Sequence, residues 1–158
     1  MEPEKFQHLV GLTLDYVRTQ EDLILRLGVS LSERQIADAK LAGVKEPERV
    51  RILVVDRITP PENEELAAAA EHAGIITSAS RAVTMGRGII VRADRWQDRE
   101  LIVHQLVHVA QCERYGGMEP YVTQYLSDRT TCAEFSVGSL EDEARNLARK
   151  ICAGEVTN

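Results

Sequence analysis

Two histidines four residues apart are the strongest chemical pattern in this chain. His104 and His108 lie in a stretch, residues 96–115, that contains neither Gly nor Pro and has apolar side chains at helical spacing. Because residues four apart lie on one face of an α-helix, both imidazoles are predicted to project from the same side. Two nitrogens so placed can bind one zinc ion, for which imidazole is a common ligand.

The same spacing has a simpler structural explanation, in which the two histidines are half-buried and bind no metal. A chain with four histidines can contain one such pair by chance, so the spacing alone is a weak motif. The apolar surroundings favour a metal, because a buried imidazole without a partner loses its hydration and a metal satisfies one of its nitrogens. Spacing and surroundings together leave both explanations open.

A zinc site of this kind needs a third protein ligand, and the candidates are acidic residues near the C-terminus. Cys112 is excluded, because it lies about 12 Å along a helix axis from His104. Glu141 and Glu143 lie in the first turn of a predicted helix, where acids are also common simply because they interact favourably with the helix dipole. The two carboxylates project roughly 160–200° apart around a helix, so only one of them can face the histidines.

These residues resemble the zincin metallopeptidases, whose active-site helix carries the motif HExxH. The strand predicted before the helix, and Glu141 followed by Ala144 after it, are similar to the gluzincin order, in which a Glu-x-x-Ala helix supplies the third ligand. The resemblance covers about residues 50–148. It implies zinc as the cofactor and hydrolysis of a peptide or protein substrate. It also implies that His104, His108 and Glu141 are the ligands.

Gln105 stands where the zincin motif has its Glu. In the family that Glu takes a proton from zinc-bound water and passes it to the leaving amine, which a carboxamide cannot do. Loss of a general base lowers the rate by about 10²- to 10⁴-fold and leaves the metal ligands in place. The resemblance therefore implies a metallopeptidase-like hydrolase impaired by a natural or engineered Gln105. The alternative is a non-catalytic zinc-binding or regulatory protein-interaction module.

The residues around the motif offer weaker candidates. Arg145 stands four positions after the third predicted ligand, where the family often has an acid or an amide, and Asn146 is the neighbouring substitute. Tyr115, Tyr121 and Tyr125 follow the histidine helix, and aromatic packing is the role expected of each.

The overall composition disfavours several classes of function. The chain has 158 residues and a net charge of −6, with basic residues scattered among acids, which argues against nucleic-acid binding. No stretch reaches the roughly 18 continuous apolar residues of a membrane helix, and no signal-peptide pattern is present. We therefore expect a cytoplasmic protein without membrane contact. The three cysteines lack CxxC spacing and are predicted to be free thiols.

The hydrophobic pattern predicts an α+β fold in a single domain of residues 1–158. Residues 1–45 form a helical N-terminal segment: one helix breaks near Thr19, and a second is capped by Ser30 or Ser32 and stops at Gly43. Residues 50–153 form the core that resembles the zincins. There a small mixed sheet packs on the histidine helix, and a helical part completes the C-terminus.

Within this core, a strand over residues 50–58 precedes a helix that is capped within residues 59–62 and ends at Gly74. Residues 75–80 and 85–92 are predicted to form a hairpin. The second of these strands could pair along its edge with an extended peptide, as in the zincins, although ordinary sheet pairing explains it equally well.

Overall fold

Six α-helices and a four-stranded mixed sheet make up the described chain, which in this computed structural model comprises residues 2–77, 79–131 and 139–157. The helices are α1 (Pro3–Leu27), α2 (Glu33–Ala42), α3 (Glu64–His72), α4 (Arg99–Arg114), α5 (Met118–Thr131) and α6 (Leu140–Cys152). The strands are β1 (Val29–Ser30), β2 (Arg51–Val55), β3 (Ala82–Met85) and β4 (Gly88–Arg92). The predicted α+β class is confirmed. Among the described residues, no helix has the length and apolar character needed to cross a bilayer.

The strands are arranged in the order β1-β2-β4-β3. β2 runs parallel to β4, with Ile52 opposite Ile89, whereas β1 pairs antiparallel with β2 and β3 pairs antiparallel with β4. β4 therefore has a partner on both sides, so of the two alternatives for this strand the structure shows ordinary sheet pairing and not an open edge. β3 forms that edge of the sheet.

The hairpin lies later in the chain than the sequence predicted. It consists of β3 and β4, joined by a two-residue turn that begins at Gly86. Gly86 has a φ of 65°, which glycine adopts without steric cost. The expected pairing of residues 75–80 with residues 85–92 is therefore wrong.

The segment after α3 turns back onto the helix instead of extending as a strand. Gly74 has a φ of 71°, and the N–H of Ile75 donates to the carbonyl of Ala70 at 2.9 Å. This hydrogen bond closes the helix end, and it places Ile76 in the core with 4% of its surface exposed. Ser78, which belongs to the same predicted strand, lies outside the described residues.

Helix boundaries agree with the sequence where a cap is clear. Ser32 caps α2 and accepts from the N–H of Gln35 at 3.2 Å, so Ser32 rather than Ser30 starts this helix. The predicted break in α1 is wrong, because the Thr19 hydroxyl donates to the carbonyl one turn back and the helix continues. α3 begins at Glu64, later than predicted, because Asn63 is its N-cap.

The histidine helix α4 packs against α2, α6 and the edge strand β3. Val103 and Leu106, on its buried side, have no exposed surface. Its first turn is capped by Asp98 and fixed to α2 by an ion pair, in which Arg99 donates to the buried carboxylate of Asp38 at 3.0 and 2.8 Å. These contacts hold α4 in one position relative to the sheet.

The N-terminal helix α1 packs on the sheet and on α5. Ile24 is fully buried, and a Cβ placed on Gly88 would lie 2.8 Å from the Ile24 side chain. Since that approach is too close for any side chain, glycine at position 88 allows α1 to rest directly on β4.

Candidate metal centre

His104, His108 and Glu141 meet between α4 and α6. Nε2 of His104 is 3.2 Å from Oε2 of Glu141, and Nε2 of His108 is 2.8 Å from its Oε1. One potential ligand atom from each residue lies within 4.8 Å of the other two. Ligand atoms bound about 2.0–2.1 Å from a tetrahedral zinc ion lie about 3.3 Å from one another. The structure thus brings the predicted residues into a group that could hold a metal ion.

The packing of α6 on α4 explains how Glu141 reaches the histidines. α6 starts at an N-cap, Ser139, whose hydroxyl accepts from the N–H of Asp142 at 3.0 Å. Ala144 and Ala148 follow on its inner face, where they are 0% and 1% exposed. Because these side chains are small, α6 can approach α4 closely, and its first turn presents Glu141 to the imidazoles.

Gln111, one turn after His108 on α4, fixes the orientation of that imidazole. Its Oε1 lies 2.8 Å from Nδ1 of His108. Its Nε2 donates to the carbonyl of Leu140 at 3.0 Å and to Glu143 at 2.8 Å, so the amide oxygen is the end that faces the ring. Nδ1 must then carry the proton, which leaves Nε2 of a neutral imidazole with its lone pair toward Glu141.

This arrangement fits a bound cation. When Nδ1 carries the only proton of His108, its Nε2 and the Glu141 oxygen 2.8 Å away are both acceptors, so this short contact needs a second proton or a metal ion between them. Two imidazole nitrogens and one carboxylate oxygen are ligands that zinc accepts. The donor set is therefore suitable for zinc.

Glu141, rather than Glu143, is the carboxylate that faces the histidines. Glu143 accepts from Gln111 Nε2 at 2.8 Å and from Arg114 at 3.0 Å. It holds the amide that orients His108, and it does not enter the group itself. The choice that the helical angles left open is thus decided by which face of α6 meets α4.

The electrostatic surroundings keep Glu141 ionised. Burial raises the pKa of this carboxyl, but hydrogen bonds and charge interactions with protonated His104 and His108 outweigh burial and hold the pKa far below its usual range. A carboxylate that stays ionised at neutral pH is the form that binds metal.

Two tyrosines of α5 contact the group, a role that the sequence interpretation missed. The hydroxyl of Tyr121 lies 3.1 Å from Nδ1 of His108, and the hydroxyl of Tyr125 donates to Glu141 Oε1 at 2.9 Å. Burial raises the pKa of Tyr121 well above its usual value, so this phenol stays neutral. One sequence feature could have indicated these contacts: the two tyrosines are four residues apart, on a helix that follows α4 after a Gly-Gly turn.

The two residues considered after the third ligand, Arg145 and Asn146, both contact Asp142. Asn146 donates to Asp142 at 3.2 Å, and Arg145 donates to the same carboxylate at 2.9 Å. The amide that contacts His108 comes instead from Gln111, which lies one turn away on the same helix.

Gln105 is buried beside the histidines and held at one end. Its side chain is 6% exposed, and the Thr84 hydroxyl of β3 donates to Oε1 at 2.8 Å. The carboxamide has no group that titrates near neutral pH, so it cannot accept a proton as a general base.

The group forms one wall of a cavity of about 620 Å³, which Gln105 also lines. Much of the remaining wall is apolar and comes from α1, α3, β3 and α5, including Leu9, Val17, Leu66, Ala70, Ile75, Ile76, Val83, Val122 and Leu126. This volume falls within the range of small-molecule sites, roughly 300–1,000 Å³.

Among the described residues, the metal-ligating group includes neither His8 nor His72, and neither Cys112 nor Cys152. His8 and His72 are exposed, as expected. Cys112 is buried and Cys152 is partly buried, and both are free thiols, while Cys132 lies outside the described residues. Comparison with family models, curated proteins and solved structures finds no match for this chain.

Proposed function

We propose that this chain is a zincin-like protein that binds one zinc ion through His104, His108 and Glu141. The observation that carries the proposal is the convergence of His104, His108 and Glu141, whose potential ligand atoms lie within 4.8 Å of one another. The chain order of β4, the histidine helix and α6 supports it, because this is the gluzincin order of elements.

The proposed protein is metallopeptidase-like, with a peptide or protein as its substrate and hydrolysis impaired by Gln105. When bound, zinc would supply Lewis-acid polarisation of a carbonyl. The chain itself orients His108 through Gln111, holds Glu141 through Tyr125, and encloses a cavity beside them. It lacks a group at position 105 that can take and return a proton, which costs about 10²- to 10⁴-fold in rate. We place the protein in the cytoplasm as part of this proposal.

The alternative is a non-catalytic zinc-binding or regulatory module with the same site. One observation favours it: the residue held beside the histidines by the Thr84 hydroxyl is a carboxamide, which cannot act as a general base. In this reading the site recognises a ligand and does not cleave it.

Metal content is the first test. We expect about one zinc per chain by elemental analysis of protein purified without a histidine tag, and loss of that zinc in His104→Ala. His8→Ala removes an exposed histidine that does not line the cavity and is the matched control, which should retain the metal. The absence of stoichiometric metal from wild-type protein, even after zinc addition, would contradict the proposal.

Peptidase assays then separate the two candidates. Gln105→Glu restores the general base, and zinc-dependent cleavage of an unfolded protein by this variant, with little or none by wild type, would support an impaired metallopeptidase. A zinc-loaded Gln105→Glu variant that cleaves no such substrate would favour the binding module.

A further inference from the structure

The amide nitrogen of Gln105 has no hydrogen-bond partner among the described residues, although the side chain is only 6% exposed. Every fully buried polar side-chain atom in the described part of the chain does have a partner. Nε2 must therefore open into the cavity that Gln105 lines together with His104, His108 and Glu141. A nearly buried N–H group that is anchored at its other end offers a directed donor to a ligand.

The charged residues of the cavity wall favour an anion once a divalent metal is bound. Three arginines line the cavity, and three carboxylates balance them, including Glu141. A divalent ion bound at the histidine group would therefore give the cavity lining a net positive charge. An acceptor that also carries negative charge would satisfy both the metal and the Gln105 amide.

The rest of the cavity favours an apolar body for that ligand. Leu66, Ile76 and Val122 are 5%, 4% and 6% exposed and line the space beside the group. Transfer of hydrocarbon from water into such a space is favourable by roughly 25 cal/mol per Å² of buried apolar surface.

We propose that the site binds a monocarboxylate with an apolar chain. Its carboxylate lies at the His104–His108–Glu141 group and accepts a hydrogen bond from Gln105 Nε2, and its chain fills the apolar part of the cavity. The inference rests on the proposed metal site and adds the chemical class of its ligand. Two sources share this chemistry: a free medium-chain carboxylate, and the C-terminal residue of a peptide with a large apolar side chain.

Gln105 sets this specificity because it donates where a glutamate would repel. An ionised carboxylate at position 105 would face the ligand carboxylate with like charge, whereas the amide forms a hydrogen bond with it. The residue that removes the general base thus adds a recognition element for an anion.

Calorimetric titration of the full-length, zinc-loaded protein tests the inference with octanoate, octanamide and acetyl-alanyl-leucine. We expect octanoate or acetyl-alanyl-leucine to bind with one site per chain, and octanamide to bind at least about tenfold more weakly because it lacks the charge. Zinc-stripped protein should lose at least about tenfold in affinity for the carboxylate. The tighter of the two carboxylates identifies the source.

Two variants test the role of the amide. Gln105→Glu should weaken carboxylate binding by at least about tenfold, and Gln105→Met, which removes the donor without adding charge, by about two- to tenfold. Gln97→Glu makes the same chemical change at an exposed residue outside the cavity and should leave the affinity unchanged. Thermal unfolding and zinc content of each variant report whether the fold and the metal site are retained.

The outcomes distinguish this inference from the proposed function. Zinc-loaded wild-type protein that binds neither carboxylate overturns the inference and leaves the metal site standing. Equal affinity in wild type and in a folded, zinc-loaded Gln105→Glu variant also overturns it. Wild-type protein that binds no zinc overturns both together.

Discussion

The amide oxygen of Gln111 lies 2.8 Å from Nδ1 of His108, and the amide nitrogen of the same residue is held by Leu140 and Glu143 of α6. The helix that supplies the carboxylate thus also fixes, through Gln111, the tautomer of a histidine on the neighbouring helix. Ligand identity and ligand orientation therefore depend on the same packing of α4 on α6.

Replacing Gln111 should weaken zinc binding without removing a ligand. In Gln111→Leu the proton on Nδ1 of His108 loses its main acceptor, and we expect zinc affinity to fall about 10- to 100-fold, as for other residues that orient metal-binding histidines. Competition with a chromogenic chelator measures it. Gln97→Leu changes an exposed glutamine and is the control. An unchanged affinity in Gln111→Leu would contradict the role assigned to this residue.

Tyr125→Phe should have a smaller effect. The phenol donates one hydrogen bond to Glu141, at 2.9 Å, and the loss of such a bond costs about 0.5–1.5 kcal/mol, or about two- to tenfold in zinc affinity. The same chelator assay applies, with Tyr115→Phe at a more exposed tyrosine as the matched change. A loss as large as that of His104→Ala would show that the fold, rather than one contact, had been damaged.

Zinc should be released as the pH falls below about 6. Protons compete with the metal for the imidazole nitrogens, so lower pH means weaker binding. Glu141 does not set this range, because its histidine partners hold its pKa far below the usual value and it stays ionised. Dialysis at stepped pH followed by elemental analysis measures the curve. Full retention of zinc at far lower pH would argue against histidine ligation.

Cys112 should resist alkylation in the native protein. Burial raises the pKa of its thiol to about 11, so very little reactive thiolate exists at pH 8. We expect iodoacetamide to label Cys112 only after unfolding in urea, as read by peptide mass spectrometry. Cys152, which is less buried, provides the internal comparison. Rapid labelling of native Cys112 would mean that α4 opens from the core.

Removing the buried carboxylate of Asp38 should destabilise the fold. Asp38 is 4% exposed and accepts both hydrogen bonds from Arg99, whose side chain is 34% exposed. Breaking a buried ion pair leaves a charge without a partner, which is destabilising, and partial solvation of Arg99 reduces that cost. We therefore expect the free energy of unfolding of Asp38→Ala, measured in urea, to be about 2–4 kcal/mol lower than that of wild type. Asp94→Ala breaks the more exposed pair with Arg92 and should change stability little. Equal losses in the two variants would contradict this ranking.

The correct predictions from the sequence rest on patterns within a single helical turn. Ser32 marks the start of α2 because its side chain caps the first turn, and Gly43 marks the end because glycine adopts the left-handed conformation found there. Both effects act within a single turn. The spacing of His104 and His108 placed both rings on one side of α4 for the same reason. That Glu141 would meet them came from resemblance, since no local pattern specifies how α6 packs on α4.

Contacts between distant segments account for what the sequence did not predict. The partners of Tyr121 and Tyr125 depend on how α5 returns beside α4, which the Gly-Gly turn permits but does not specify. The β3–β4 hairpin was misplaced because the apolar residues Ile75 and Ile76 fit a strand pattern equally well. In the structure they close the end of α3 and enter the core.

The three candidate ligands join segments that are far apart in the chain, with His104 and Glu141 separated by 37 positions. A metal that binds the folded chain and not the unfolded one links metal supply to folding. At a free concentration 1,000 times the dissociation constant it would add about 4 kcal/mol to the free energy of unfolding. Cells short of zinc would then hold less of the folded protein, and the amount available for any task at this site would follow zinc abundance without a dedicated regulator.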